Sequence, residues 1–358
     1  MTHVANVTID PAHVDVNLTD FVVYVDLSDL PSSFWDVVAD GGGDIRCFKE
    51  DGTSELEREV VSCVQASDTG ELHVRYEGMV SATDDTVIQI HADGTSSDYA
   101  VTATYGRDNV WQDYTHVFHG DDIVNATGGT GLTATGAPTA GSSTAKMGTA
   151  FAFDASEGYE SAGITGAGDG VTIQCWARYA NVTTNFIPIG AWDVSIPLTQ
   201  VNVIAYGANA GDKTRSFSLE DGGGNNIALS TGPFVATTWV MHHGSFTSTS
   251  GAHNYYNGSL DGSDISTSND LEGIDTLFVA STPTAQFMAG GFVDEVRFRS
   301  EQLSADWIDA EYTNQNTPST FYAATAVGAS GDFIQSIAGP GGIAGPGGNA
   351  GRAGGIAG

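Results

Sequence analysis

"GGFVDEVRFRSEQLSADWIDAEY", residues 290–312, is the stretch whose reading decides the fold. Its first part, "FVDEVRF", is short and rich in β-branched and aromatic residues, the signature of a strand. Its second part, "LSADWIDAEY", predicts the one substantial helix: Ser304 suits the N-cap, Asp306 the first turn, and Leu303 and Ile308 a hydrophobic staple. Trp307, Ile308 and Tyr312 recur at helical spacing and are expected to pack on the strands before them. Upstream, "AFAFDA", "VTIQCWARYA", "SFSLED", "TTWVMHHGSF", "HNYYNGSL" and "TLFVAS" are further strand candidates separated by Gly-, Asn- and Asp-containing turns. Strands at that spacing argue for a β-sandwich.

A Gly/Thr/Ala-rich zone, residues 125–148, reads as a linker or a set of loops. Ahead of it "FVVYVDL", "LHVRY" and "TVIQIH" are strand-like and bounded by the turn clusters "ADGGGD" and "ASDTGE". "PSSFWDVVAD" suits a single helical turn. The expected fold class is therefore all-β, with two sandwich domains, one short helix near the C-terminus and a Gly-rich tail.

The chain has 358 residues, 41% of them hydrophobic, enough for two domains with substantial cores. Acidic residues outnumber basic ones 44 to 12, for a formal net charge of −32. That excess repels phosphate backbones and anionic lipid, and argues against nucleic-acid partners. It suits a surface kept soluble in salty water, or a set of cation sites. Cys47, Cys63 and Cys175 form no CxxC pair, so buried free thiols are expected rather than a zinc site or a disulfide scaffold. "MTHVANVTID" has neither a basic nor an apolar signal region, and no apolar run reaches 18 residues, so neither secretion by a signal peptide nor membrane insertion is expected.

Residues 1–119 resemble a bacterial and phage domain of unknown function, DUF2341. The resemblance rests on "VNLTDFVVYVDLSDLP", "GGGDIRCFKEDGTSELEREVVS", "TGELHVRYEG" and "YGRDNVWQDYTHVFH" in that order, with Val22 where the family usually shows Pro. Residues 120–322, of which 120–148 are linker-like, resemble a laminin-G-like, concanavalin A-like jelly roll. There the carrying motifs are "AFAFDASEGYES", "VTIQCWARY", "TTWVMHHGSF", "YYNGSLDG" and the opening stretch, with Asn257 where that family has Asp. The sandwich resemblance implies glycan or protein binding more than catalysis. It also implies calcium at a loop rim, for which Asp154, Glu157, Asp221, Asn225 and Asn226 offer oxygen ligands. Aromatic platforms for a glycan would be Trp192, Tyr206, Tyr255 and Tyr256.

Catalytic patterns are weak. A retaining glycosidase needs two carboxylates about 5–5.5 Å apart on one face. Asp294 and Glu295 are neighbours on a strand and should face opposite ways, Asp294 anchoring a turn and Glu295 pairing with Arg297. His242 and His243 should likewise diverge, one to the core and one to the surface. His116 and His119 in "HVFH" could share a helical face, but no Cys completes a zinc set. No GxSxG motif occurs, and the loops "DGGGD" and "DGGGNN" lack the Lys of a phosphate loop.

The end of the chain, "SIAGPGGIAGPGGNAGRAGGIAG", carries Gly339, Gly342, Gly345, Gly348, Gly351 and Gly354, one every third residue. That period matches the polyproline II helix. Phe333, Ile334 and Ile337 stand just upstream as an apolar anchor. Residues 323–358 therefore read as an assembly tail, most simply of a homotrimer. Together these features describe a tailed-phage virion protein, a capsid decoration or fibre component that presents a glycan-binding-type sandwich. Its partners would be its own copies, other virion proteins and a host surface glycan. The rival expectations are a tail-tip adhesin, a bacterial surface or secreted carbohydrate-binding module and, last, a polysaccharide depolymerase.

Overall fold

The structure, a computed structural model, describes residues 2–327 except 166–169, 182–185, 196–202, 209–213, 222–223, 234, 266–272 and 285–289. Side chains at 186 and 203–233 also lie outside the described residues, as does the whole Gly-phased segment with Phe333, Ile334, Ile337 and Gly339 to Gly354.

The first half contains β1 (Thr2–Ile9), β2 (Leu18–Asp26), α1 (Ser32–Trp35), β3 (Arg46–Lys49), β4 (Glu55–Val64), β5 (Thr69–Val80), β6 (Thr86–Ala92) and α2 (Arg107–Val110). The single helical turn expected at "PSSFWD" is α1. The second half runs through β7 (His116–Phe118), β8 (Thr133–Thr135), β9 (Thr139–Ser142), β10 (Ala150–Phe153), β11 (Gly158–Ala162), β12 (Gly170–Tyr179) and β13 (Phe186–Trp192). It continues with β14 (Val203–Ala208), β15 (Thr214–Asp221), β16 (Gly224–Pro233), β17 (Val240–Thr247), β18 (Gly251–Tyr256), β19 (Ser259–Asp264), β20 (Thr276–Val279) and β21 (Gly291–Arg299). The chain then forms α3 (Ala305–Asn316), α4 (Pro318–Phe321) and β22 (Tyr322–Ala326).

The described strands form three antiparallel sheets. The first, in the order β2-β5-β4-β3-β6-β1-β22, curls around its own core, where Val23, Val25, Leu72, Val74, Ile88 and Ile90 meet. β22 pairs with β1 from Ala5 opposite Ala326 to Ile9 opposite Tyr322, so the residues that close the first sheet follow the second half in sequence. The other two sheets face each other. One runs β19-β18-β17-β12-β21-β10-β9, with β7 also on β21, and the other β16-β15-β14-β13-β20-β11-β8. Between them lies a core built from Ile173, Cys175, Val293, Val296 and Phe298 on one side and Tyr159, Ile189, Leu277 and Val279 on the other.

The Gly/Thr/Ala-rich zone is more than a linker, because β8 and β9 within it form the outer strands of both facing sheets. Cys47, Cys63 and Cys175 are free and buried, and burial pushes the Cys63 thiol up to about 11. The "YYNG" corner between β18 and β19 places Asn257 and Gly258 at φ 50° and 79°, the pair of positive values that a tight hairpin turn requires.

Helix α3 begins as its sequence indicates, with the Ser304 hydroxyl accepting from the Trp307 N–H at 3.1 Å. Its packing is broader than expected. Leu303, Trp307 and Ile308 enter the core of the first half, where Trp307 meets Phe21 edge to face at 5.1 Å. Tyr312 instead stacks on Trp176 of β12 at 5.8 Å. The helix thus joins the two halves, and Met1–Val327 forms one compact unit.

Candidate functional site

Cross-strand register defines a groove on the outward face of the β13-β20-β11-β8 sheet. Glu160 stands opposite Phe278 and Thr133, and Ala162 opposite Thr276, so these residues share one face. Their neighbours Tyr159, Leu277 and Val279 point to the core instead. Thr130, Thr133, Glu160, Ala162, Val194, Thr276, Phe278 and Pro283 line a cavity of about 540 Å³. Phe278 and Thr276 are buried, while Thr130, Thr133, Glu160 and Val194 are exposed. Trp192 supports the floor by meeting Phe278 edge to face at 5.2 Å. The groove therefore combines an apolar base, three threonine hydroxyls and one carboxylate, a mixed lining typical of small-molecule sites.

The expected aromatic platforms do not gather there as open surfaces. Trp192 is buried beside the groove, on the same face as Thr276. Tyr255 is buried in the core of the first half, and Tyr256 packs on the sandwich core. Both come from β18 on the other sheet, where Tyr255 is buried and Tyr256 half-buried. Tyr206, Asp221 and Asn225 lie on strands whose backbone is described, but their side chains, like that of Asn226, lie outside the described residues. Of the calcium candidates, Asp154 and Glu157 occupy the β10–β11 turn, where Glu157 Oε2 accepts from the Asp154 N–H at 2.7 Å.

A second concentration of functional groups lies in the seam between the halves. Its key is a bulge in β21. Arg297 stands opposite Gln174 and Asp294 opposite Trp176, so two residues on β21, Glu295 and Val296, oppose the single Cys175 on β12. Glu295 is the extra residue and has φ 50°. Asp294, Glu295 and Arg297 consequently all leave the core face, correcting the expectation that the adjacent acids diverge. Asp294 does anchor a turn, accepting from the N–H groups of Lys146 and Met147 at 2.9 and 3.0 Å. Glu295 does pair with Arg297, at 2.5 Å.

From there a buried network crosses the seam. Arg297 also bonds Glu311 of α3 at 2.5 Å, and Glu311 reaches His243 at 3.1 Å. His119 Nδ1 lies 2.6 Å from Glu295 and its Nε2 3.1 Å from Glu59. His73 lies 2.9 Å from Glu71 and stacks on His119 at 4.7 Å. The Trp111 indole donates to Glu59 and carries the Arg297 guanidinium over its ring at 4.7 Å. His116 and His119 do not share a helical face: the segment is β7, and His116 points away to the Ala162 carbonyl at 3.4 Å. His242 and His243 face opposite ways as expected, but both are buried, His242 against the Tyr179 hydroxyl and His243 under α3.

Burial and the Glu295 charge push the Glu71 and Asp294 carboxyls well above their ordinary range. Burial opposes charge on His119, but Glu295 and Glu59 outweigh it and hold the imidazole well above its usual value. Burial would likewise raise Glu295, yet His119 and Arg297 keep it low. His73 is pushed well below its ordinary value by burial and is neutral. The seam is therefore a set of matched charges and shared protons.

The chain matches no model of a known protein family and no curated protein. Among solved structures it is similar to the receptor-binding domain of botulinum neurotoxin C/D mosaic serotype, at 11% identity over 57% of this chain and 52% of that one, with a TM-score of 0.45. It is also similar to the botulinum neurotoxin serotype G binding domain, at 12% identity over 57% and 51%, with a TM-score of 0.43. A third is domain 4 of AbnA, a GH43 extracellular arabinanase from Geobacillus stearothermophilus in complex with arabinotriose. There the identity is 15% over 55% of this chain and 97% of that one, with a TM-score of 0.46. The matched region spans about half the length of the toxin binding domains.

Proposed function

We propose that the chain is a non-catalytic binding module that presents a glycan-binding groove on an assembled particle, as a capsid decoration or fibre protein of a tailed-phage virion. The observation that carries the binding part is the groove over Phe278. An apolar floor set among hydroxyls and one carboxylate complements a sugar, which offers an apolar ring face and a rim of hydroxyls. The buried acids support a non-catalytic reading: Asp294 accepts backbone N–H groups and Glu295 bonds His119 and Arg297, and both are fully buried. The virion setting rests on the DUF2341 resemblance of residues 1–119, and the trimer on the glycine period of the tail.

A glycan array followed by calorimetry on the best ligand tests the binding. Phe278→Leu and the rim pair Thr133→Ala/Glu160→Gln should each weaken it about tenfold or more, equivalent to about 1.4 kcal/mol. Array silence, or affinity indifferent to both variants, removes the groove from the proposal. Electron microscopy of the particle separates a decoration protein in many copies from a tail-tip adhesin in few. Release of reducing sugar from host polysaccharide would favour the depolymerase instead.

A further inference from the structure

Four side chains able to ligate a metal converge in the seam. Glu71 and His73 are two apart on β5 and so share a face; His119 follows β7, and Glu295 occupies the β21 bulge. One ligand atom from each lies within 4.8 Å of all the others, and all four residues are buried. A tetrahedral ion at ~2.1 Å from each donor needs them ~3.4 Å apart, so side-chain shifts well under the size of a rotamer change would close the set.

Three further observations point to a missing cation. First, Glu71 Oε2 and His73 Nδ1 have no hydrogen-bond partner although both residues are buried. A buried polar atom in that state is costly unless something completes it. Second, the outer contacts are already those of a ligated site. His119 keeps Nε2 on Glu59 at 3.1 Å, so its Nδ1, which faces Glu295 and Glu71 at 2.6 and 3.8 Å, is the nitrogen that an ion would take in exchange for a proton. Arg297 holds the far oxygen of Glu295. A carboxylate that orients the imidazole and a cation that orients the carboxylate are the usual supports of metal ligands. Third, a cavity of about 480 Å³, lined by Glu71, Asp121, Lys146 and Gly148 among others, leads to the cluster. Gly148 keeps that approach open, since a Cβ there would sit 2.2 Å from Glu71 Oε2.

We propose that Glu71, His73, His119 and Glu295 form a binding site for one divalent transition-metal ion, Zn²⁺ by preference, which fastens the first half of the chain to the second. Two imidazoles with two carboxylates suit a borderline ion better than calcium, which takes oxygen donors only. The ion joins β5 to β7 and β21, so its role is structural.

The test uses the full chain. It is purified without chelator and assayed for metal by mass spectrometry, then stripped and titrated with Zn²⁺ by calorimetry and with Co²⁺ by visible absorption. One Zn²⁺ per chain is expected, with d–d bands for Co²⁺ and a higher Tm on loading. Glu71→Gln and His119→Gln should abolish stoichiometric binding. Glu59→Gln, which reaches the four ligands only through the far nitrogen of His119, should weaken it about 10–100-fold. Asp154→Asn/Glu157→Gln, on the exposed β10–β11 turn, should leave it unchanged. The proposal is overturned if the stripped wild-type chain takes up neither Zn²⁺ nor Co²⁺ stoichiometrically, in which case protons alone satisfy the seam. It is also overturned if uptake survives in folded Glu71→Gln. Because the wild-type uptake and the Co²⁺ spectrum need no variant, a misfolded mutant does not rescue it.

Discussion

Asn314 of α3 binds the backbone of Tyr24, 290 residues away, as though it were another strand: its Oδ1 accepts from the Tyr24 N–H at 2.7 Å and its Nδ2 donates to the Tyr24 carbonyl at 2.8 Å. β2 is the end strand of the first sheet, so this amide satisfies peptide groups that the sheet leaves open. Asn314→Ala would leave both without a partner in a buried site, at about 2–4 kcal/mol. Urea unfolding measures it. Asn314→Asp keeps only the acceptor and should not restore stability. A loss below ~1 kcal/mol for the alanine variant would mean that water substitutes for the amide.

Arg297 neutralises Glu295 and Glu311 at once, at 2.5 Å each, with all three buried. Arg297→Met should therefore cost about 3–5 kcal/mol, most of it from the stranded carboxylates. The triple variant Arg297→Met/Glu295→Gln/Glu311→Gln should recover much of that loss, because no uncompensated charge remains. Calorimetric melting in the presence of a chelator distinguishes the two. Equal melting points would show that packing, rather than charge, sets the cost.

Acid should weaken the fold through His116. Burial lowers this imidazole from 6.5 to about 4. Between those values the unfolded chain takes up the proton and the folded one does not, so this contribution is complete above pH 6.5 and is lost as pH falls toward 4. The full effect is at most ~3 kcal/mol. His116→Phe, beside Phe118 and Phe298, removes the titrating group. The variant's stability should fall less between pH 7 and 4.5 than that of the wild type. Parallel profiles would assign the acid sensitivity to other groups.

Truncation separates folding from assembly. A chain ending at Val327 keeps β22 on β1 and should melt with the full-length protein. If the glycine-phased tail drives trimerisation, it should also sediment as a monomer. A chain ending at Tyr322 loses the pairing of Ala323 to Ala326 and should be less stable by about 1–2 kcal/mol. Trimers of the Val327 product would transfer the assembly role to the folded body.

Much of the architecture was legible in one dimension because it depends on near neighbours. Strand-like runs between turn residues, the Ser304 cap of α3, the Asn257–Gly258 corner and the unpaired thiols all follow from chemistry within a few positions. Pairing of Glu295 with Arg297 was readable for the same reason. The groove was not, since its floor and walls come from β8, β11 and β20 and are aligned only by register. The tyrosines of β18 show the converse. Of the aromatic residues that could have served as platforms, Tyr255 is buried in the core of the first half and Tyr256 is partly buried against the sandwich core.

The amino-acid sequence by itself determined which segments become strands, where the one long helix starts, and that the protein carries a large negative charge. Tertiary structure alone decided that Glu59, Glu71, His73, His119, Glu295, Arg297 and Glu311 meet. It did so through a bulge that turns two adjacent acids to one side and through an interface that excludes water. The physical reason is that the energy of a charge depends on its surroundings more than on its identity: an acid that is merely solvated on a surface becomes, once enclosed, a group that must find a proton, a partner or an ion.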